Sequence, residues 1–195
     1  EYDKQDILES IESAEKQMIK NGIVGVGDIC NTADTLYQKQ KRNLQYYNFI
    51  EVFGVRDKNA NQIIFDAKDL RSQFRDKGQK STISPHSPYS VPKKLMQEII
   101  RNFDSEDELL TIHIQESDQE NYLFENKSGD FFSWLKSVHA SSSIWESRHK
   151  SADILKVLAN QKLLLVHNTF AKKEDISSNY YCTCPKANLY IENRV

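Results

Sequence analysis

Two short apolar segments, each with a histidine near its carboxyl end, hold the residues of this sequence best suited to chemistry. Residues 109–117 (LLTIHIQES) contain His113, with Glu116 three positions later, and residues 162–170 (KLLLVHNTF) contain His167. We interpret both segments as buried strands. A neutral imidazole is a good ligand for zinc or iron. A carboxylate beside the ion can take a proton from water and return it to a leaving group.

Side-chain alternation along a strand predicts which residues accompany each histidine. Thr111 shares a face with His113, while Leu163 and Leu165 share a face with His167. We expect both imidazoles to point inward above an apolar layer. Each histidine alone could equally be a hydrogen-bonded structural residue, and the residues by themselves leave that alternative open.

Residues 85–90 (PHSPYS) form a second candidate site. Pro85 and Pro88 restrict the backbone on either side of His86, and Tyr89 follows directly. A stiff loop of this kind suits a polar substrate, although a proline-shaped turn with an incidental histidine has the same pattern. Cys182 and Cys184 are predicted to be two small side chains of a strand rather than a metal-binding pair.

Strand-like and helix-like segments alternate along the sequence. The predicted strands are too apolar to have one face in water, which is typical of a parallel sheet covered by helices. They lie at residues 23–30, 47–53, 81–84, 109–117, 162–170 and 180–184, and the helical segments at 6–20, 33–42, 67–77, from about 92, 118–159 and 173–176. Without a glycine-rich nucleotide loop, this order favours a (β/α) barrel, where chemistry collects at the carboxyl ends of the strands.

Composition limits the partners. A net charge of -2 with interspersed signs predicts neither a nucleic-acid polymer nor a membrane surface as partner, and no apolar run approaches the roughly 20 residues of a membrane span. The three cysteines are an odd number, which favours a reduced, cytoplasmic setting. We expect residues 1–195 to form a single domain that acts on a small molecule.

Four motifs in register resemble the metal-dependent amidohydrolase superfamily: HIQE (113–116), PHSPYS (85–90), LVHNT (165–169) and CPKAN (184–188). The sequence is most similar to the chlorohydrolase and nucleoside-deaminase-like branch, which includes the adenosylhomocysteine and aminodeoxyfutalosine deaminases. The resemblance implies an α/β fold that is TIM-barrel-like but incomplete, with strands two to seven of eight.

The resemblance also implies a role for each matching residue. His113 would be the metal ligand, with zinc or iron as the ion, and Glu116 the proton shuttle between water and the leaving ammonia. His167 would orient the attacking water and polarise the substrate. His86 and Tyr89 would contact the substrate, and Asn188 would shape the site. The implied reaction is deamination of an aminated heterocycle or nucleoside by metal-activated water.

The family's metal site also uses an HxH pair after strand one and an aspartate after strand eight. This sequence contains no HxH. We therefore expect the chain to be the central part of a longer enzyme, to be inactive alone, and to bind metal weakly or not at all. Its bare sheet edges would favour a homo-oligomer. The alternatives are a chlorohydrolase or amidase with the same barrel, and a non-catalytic binding or scaffold protein.

Overall fold

Strands and helices alternate in the computed structural model, which describes residues 3–104, 108–175 and 180–194. The strands are β1 Gly25–Cys30, β2 Gln45–Val52, β3 Lys80–Pro85, β4 Leu109–Ile114, β5 Lys162–His167 and β6 Tyr180–Cys182. The helices are α1 Lys4–Lys20, α2 Leu36–Lys39, α3 Ala60–Asp76, α4 Lys93–Arg101, α5 Gln119–Asn121, α6 Gly129–Ser137, α7 Ser143–Glu146, α8 Asp153–Val157 and α9 Pro185–Glu192. Two 3₁₀ turns (Asp57–Asn59, Lys173–Asp175) and a π-helical turn (Tyr122–Asn126) complete the described elements.

The chain divides into two units. Unit 1 comprises Glu1–Glu51 and Asp66–Ile83, and unit 2 comprises Val52–Phe65 and Ser84–Val195. One three-stranded sheet has the order β1-β2-β3, and the other has the order β4-β5-β6. The expectation of a single domain over residues 1–195 stays a prediction.

Unit 1 is built around a buried polar cluster as well as apolar residues. Lys39 is buried, and its Nζ contacts the Asp28 carboxylate and lies 2.6 Å from Asn48 Oδ1. Phe49 of β2 and Phe74 of α3 are fully buried in the same unit. The charge of Lys39 is therefore satisfied within the interior, as a buried ammonium requires.

Unit 2 contains the sheet that positions the candidate site. Strands β4, β5 and β6 run parallel, with Leu110 opposite Leu163 and Ile112 opposite Leu165. These side chains, together with Ile114, are almost completely removed from solvent. They form a buried apolar layer on one face of this sheet, opposite to the face of Thr111 and His113.

The expectation that every strand is covered on both faces is wrong for β1 and β6. Three of the six residues of β1 are exposed, and Tyr180 and Tyr181 of β6 are at least half exposed. Both strands lie at an end of the strand order in their described sheet. In addition, Gly25 and Gly27 give β1 no side chain to bury at two positions.

Several predicted boundaries also differ. The strands predicted at 109–117 and 162–170 end at Ile114 and His167, because the backbone turns left-handed at Gln115 (φ 53°), His167 (φ 75°) and Asn168 (φ 58°). His113 is consequently the residue before the last one of β4.

The helical region predicted at 118–159 is divided into α5, the π-helical turn, α6, α7 and α8. The helix predicted at 33–42 is the single turn of α2, and the strand predicted at 180–184 is β6. The helix predicted at 173–176 is a 3₁₀ turn, and residue 176 lies outside the described residues. Among the described residues, none of the helices is both long enough and apolar enough to cross a membrane.

Candidate functional site

The carboxyl ends of β4 and β5 bring the two predicted histidines together. The rings of His113 and His167 are 5.4 Å apart between centroids and nearly perpendicular. The strands are parallel, so both ends reach the same edge of the sheet. The predicted meeting of these two imidazoles is therefore present in the structure.

Alternation alone would not produce this contact. The register pairs His167 with Ile114, and His113 with Val166. Register partners in a parallel sheet share a face. In a regular strand the ring of His167 would therefore lie on the face of Ile114, which is the other face of the sheet from His113. The left-handed backbone of His167 (φ 75°) ends the alternation at this residue and allows its ring to reach His113.

Glu116 lies just beyond the end of β4. Gln115 is left-handed (φ 53°), and after this turn the Glu116 Oε1 lies 3.3 Å from His167 Nε2. The side chains of Glu116 and His167 are 22% and 9% exposed, so the pair is largely shielded from water. The carboxylate and the imidazole are thus in contact at the ends of β4 and β5.

Asn188 contacts the other nitrogen of the same imidazole. Its Oδ1 lies 2.9 Å from His167 Nδ1, and the side chain is buried. Asn188 belongs to the first turn of α9, which begins at Pro185, a residue favoured at the first helical position. Because an amide oxygen accepts a hydrogen bond, this contact assigns a proton to Nδ1.

His86 lies beside His113, and Tyr89 lies beside His86. The His86 ring is 5.0 Å from that of His113 and 5.9 Å from that of Tyr89. His86 Nδ1 is 2.7 Å from Ser90 Oγ, and the His113 backbone N–H donates to the His86 carbonyl at 2.8 Å. All six predicted site residues therefore form one connected cluster within unit 2.

Burial keeps the central imidazoles neutral. Desolvation lowers the pKa of His113 to about 4, with further lowering from the neighbouring His86 and His167. Desolvation and His167 also lower the pKa of His86. At neutral pH the rings of His113 and His86 consequently carry lone pairs that can bind a cation or accept a hydrogen bond.

The donor chemistry fits a divalent ion. One ring nitrogen of His86 and one of His113 lie within 4.8 Å of each other. Neutral imidazole nitrogens at this spacing suit zinc or iron, whose catalytic sites usually have three protein ligands. His113 is the predicted ligand, and that role stays a prediction.

Sequence reasoning missed Glu120. This carboxyl is fully buried, accepts a hydrogen bond from the Glu116 backbone N–H at 2.9 Å and another from the Ser151 hydroxyl. The available signal was the S-x-x-E pattern of Ser117 and Glu120, which is typical of a helix start. Burial raises the pKa of Glu120 to about 7.

Sequence reasoning also missed Arg148. Its buried guanidinium donates to the carbonyls of Pro88 and Val91, at 2.9 Å and 3.4 Å. Burial lowers its pKa to about 10. Arg148 therefore holds the loop that contains His86 and Tyr89, and nothing in its sequence context marked it.

Comparison with known proteins identifies the class and then the family. The parallel α/β fold is that of Helicobacter pylori aminofutalosine deaminase, whose crystal structure superposes with a TM-score of 0.81 at 23% identity, over 93% of this chain and 48% of that one. The same enzyme in complex with methylthio-coformycin gives a TM-score of 0.73 at 25% identity, over 91% and 45%. The chain matches the amidohydrolase family over residues 2–195 and belongs to it.

The comparisons also include an adenosine deaminase of Helicobacter pylori, 28% identical over 95% of this chain and 47% of the relative. The chain thus spans about half the length of the relatives that it matches. The predicted family and the predicted fold class, an α/β fold of incomplete TIM-barrel type, are confirmed. The amidohydrolase family is generally metal-dependent.

The raised pKa of Glu120 predicts a pH-dependent stability. Its folded pKa of about 7 lies above the ordinary carboxyl value, so neutral Glu120 stabilises the fold at acidic pH, and this contribution is lost as pH rises through 7. The Glu120→Gln variant should therefore gain about 2 kcal/mol in free energy of unfolding, relative to wild type, between pH 5 and pH 8.5. Urea unfolding followed by circular dichroism measures this difference.

The matched control is Glu125→Gln, which changes an exposed carboxyl in the adjacent π-helical turn. Glu116 and Tyr89 are the titratable groups that interact electrostatically with Glu120, and both are retained in either variant. A stability difference between Glu120→Gln and wild type that stays constant with pH would contradict the prediction.

Proposed function

We propose that this chain carries the proton-handling residues of a metal-dependent hydrolase that deaminates an aminated heterocycle or nucleoside in the cytoplasm. The proposal rests mainly on the 3.3 Å contact between Glu116 Oε1 and His167 Nε2 beside the His113 ring. The cytoplasmic assignment is supported by three free cysteines.

His113 is the proposed ligand of a zinc or iron ion. Its ring is half-buried and neutral at neutral pH, as a metal-binding imidazole must be. The ion, when bound, would supply Lewis-acid activation of water. The remaining steps of the proposed mechanism belong to side chains of this chain.

Glu116 is the proposed proton carrier. Asn188 accepts the proton of His167 Nδ1, which leaves a lone pair on Nε2. Because that lone pair would repel an oxygen of Glu116, the close approach of Nε2 and Oε1 is favourable only when a proton lies between them. In the proposed cycle Glu116 Oε1 receives a proton from the attacking water and delivers it to the leaving amine. His167 orients the water and polarises the substrate, while Asn188 fixes the imidazole that does so.

His86 and Tyr89 are the proposed substrate contacts. Both are half-buried, and Phe53 packs edge-on against His86 at 5.9 Å, so the loop offers aromatic surface beside two polar groups. A flat heterocycle with a polar edge matches this combination. The similar proteins are named for adenosine and aminofutalosine, and methylthio-coformycin occupies one of them. We propose 6-aminopurine nucleosides as the first substrates to test.

Replacing the proton carrier tests the reaction. In the natural protein that carries this chain, Glu116→Gln should lower kcat for ammonia release from adenosine-type nucleosides by about 10²–10⁴-fold, because an amide cannot accept the proton. The loss of adenine absorbance on deamination provides a continuous assay. The exposed Glu125→Gln variant is the matched control and should retain wild-type kcat.

Two results would refute the proposed function. The first is a wild-type protein, supplied with zinc or iron, that releases no ammonia from any aminopurine, aminopyrimidine or nucleoside tested. The second is a Glu116→Gln variant with unchanged kcat. Halide or amide turnover without deamination would favour a different hydrolase of the same family.

Removing the proposed ligand tests the metal. In the natural protein that carries this chain, His113→Ala should reduce bound zinc or iron by at least about 10-fold at equal protein concentration, because the ion loses an imidazole donor. Elemental analysis of dialysed protein measures the ratio of metal to protein. His149→Ala removes an exposed histidine and serves as the control. Equal metal content in the two variants would exclude His113 as the ligand.

We also propose that the chain self-associates through the edge of β1 or of β6. The support is the exposure of Ile29 in β1 and of Tyr180 and Tyr181 in β6, since exposed apolar edge strands favour pairing with another strand. Multi-angle light scattering at micromolar concentration should give at least twice the chain mass of 22.7 kDa. A single species at the chain mass would contradict this.

A further inference from the structure

Glu120 is a fully buried carboxyl that is held by hydrogen bonds. One oxygen accepts the Glu116 backbone N–H at 2.9 Å, the other accepts the Ser151 hydroxyl, and the Gln115 backbone N–H also donates to the carboxyl. Among residues 3–104, 108–175 and 180–194, no basic side chain forms an ion pair with it. A carboxyl is costly to bury in this way, so the hydrogen bonds that it makes there need an explanation.

The first of these hydrogen bonds lies at the turn that directs Glu116. Strand β4 ends at Ile114, Gln115 is left-handed, and the N–H of Glu116 has left the strand ladder. Glu120 Oε1 accepts that N–H. The peptide that precedes the Glu116 side chain is therefore held by a side chain four residues further along.

An ordinary helix-capping role does not account for this arrangement. In a capping box the glutamate reaches back to the backbone N–H of the capping residue itself, which would be Ser117. Ser117 Oγ does accept from Gln119 N at 3.3 Å, as a cap should, but Glu120 bonds the N–H of Glu116 instead. The carboxyl is thus attached to the residue that carries the reactive group.

The direction of the Glu116 side chain matters because two partners depend on it. Its Oε1 lies 3.3 Å from His167 Nε2, and the Tyr89 hydroxyl also interacts with its carboxylate. A rotation of the peptide before Glu116 would separate the carboxylate from both partners. A misplacement of about 1 Å at a reacting group can lower a rate by about 100-fold.

We propose that Glu120 is a positioning residue, which aims the Glu116 carboxylate at His167 by accepting the Glu116 backbone N–H and is itself anchored by Ser151. The catalytic part of this inference rests on the proposed role of Glu116 as proton carrier. The positioning part rests on the hydrogen bonds alone and can be measured without activity.

Two variants separate position from charge. Glu120→Gln keeps the length of the side chain and an acceptor oxygen but removes the charge. Glu120→Asp keeps the charge but is one methylene too short to reach the Glu116 N–H. In the natural protein, kcat for deamination should stay within about 3-fold of wild type in Glu120→Gln and fall about 10-fold or more in Glu120→Asp, with KM within about 3-fold in both. Glu125→Gln is the exposed control.

Amide hydrogen exchange provides the readout that needs no turnover. Exchange of the Glu116 N–H, followed by NMR, should be about 10-fold faster in Glu120→Asp than in wild type, and close to wild type in Glu120→Gln. Equal exchange in the three proteins overturns the proposal, as does a kcat that falls equally in both variants. A lower Tm of Glu120→Asp with unchanged kcat would indicate a capping role only and also overturns it.

The two proposals fail in distinguishable ways. If the wild-type protein releases no ammonia, the proposed function fails, and the exchange rates still decide whether Glu120 holds the Glu116 peptide. If the wild-type protein is active and Glu120→Asp matches it in kcat, deamination stands and the role of Glu120 is refuted.

Discussion

The contact between Glu116 and His167 depends on two residues with left-handed backbones. Gln115 turns the chain at the end of β4, and His167 turns it at the end of β5. Residues with a side chain avoid this region, at a cost of about 1–3 kcal/mol each, unless the surrounding structure holds them there. The buried apolar layer of Leu110, Ile112 and Leu165 covers one face of the sheet that ends at these two turns. Strain at the strand ends thus brings the carboxylate and the imidazole together.

Buried polar side chains fix the site residues in place through hydrogen bonds. Asn188 fixes the tautomer of His167, Glu120 holds the peptide of Glu116, and Arg148 binds the carbonyls of the loop after β3. Each is buried, so its hydrogen bonds are stronger and more costly to break than the same bonds in water. The side chains proposed to contact water or substrate are therefore oriented by these three buried residues.

Much of the site could be predicted from the sequence because its motifs are local. HIQE and PHSPYS each place their residues within six positions, so the predicted association of His113 with Glu116 and of His86 with Tyr89 needed only short-range geometry. Glu120 was missed because an S-x-x-E pattern indicates a helix start, and its burial depends on Ser151, which is 31 residues away. The helix boundaries after β4 were wrong because short helical turns there are stabilised by packing rather than by their own periodicity.

The sequence by itself determined the alternation of strands and helices, the apolar layer and the family, because hydrophobic period and residue order are properties of the chain alone. Only the tertiary structure decided that His167 faces His113. Alternation and the β4–β5 register would place the two rings on opposite faces, and the sign of φ at His167 is set by what packs around it. The tertiary structure also decided the burial of Glu120, because a carboxyl is stable in the interior only where residues distant in the sequence supply hydrogen-bond donors to it.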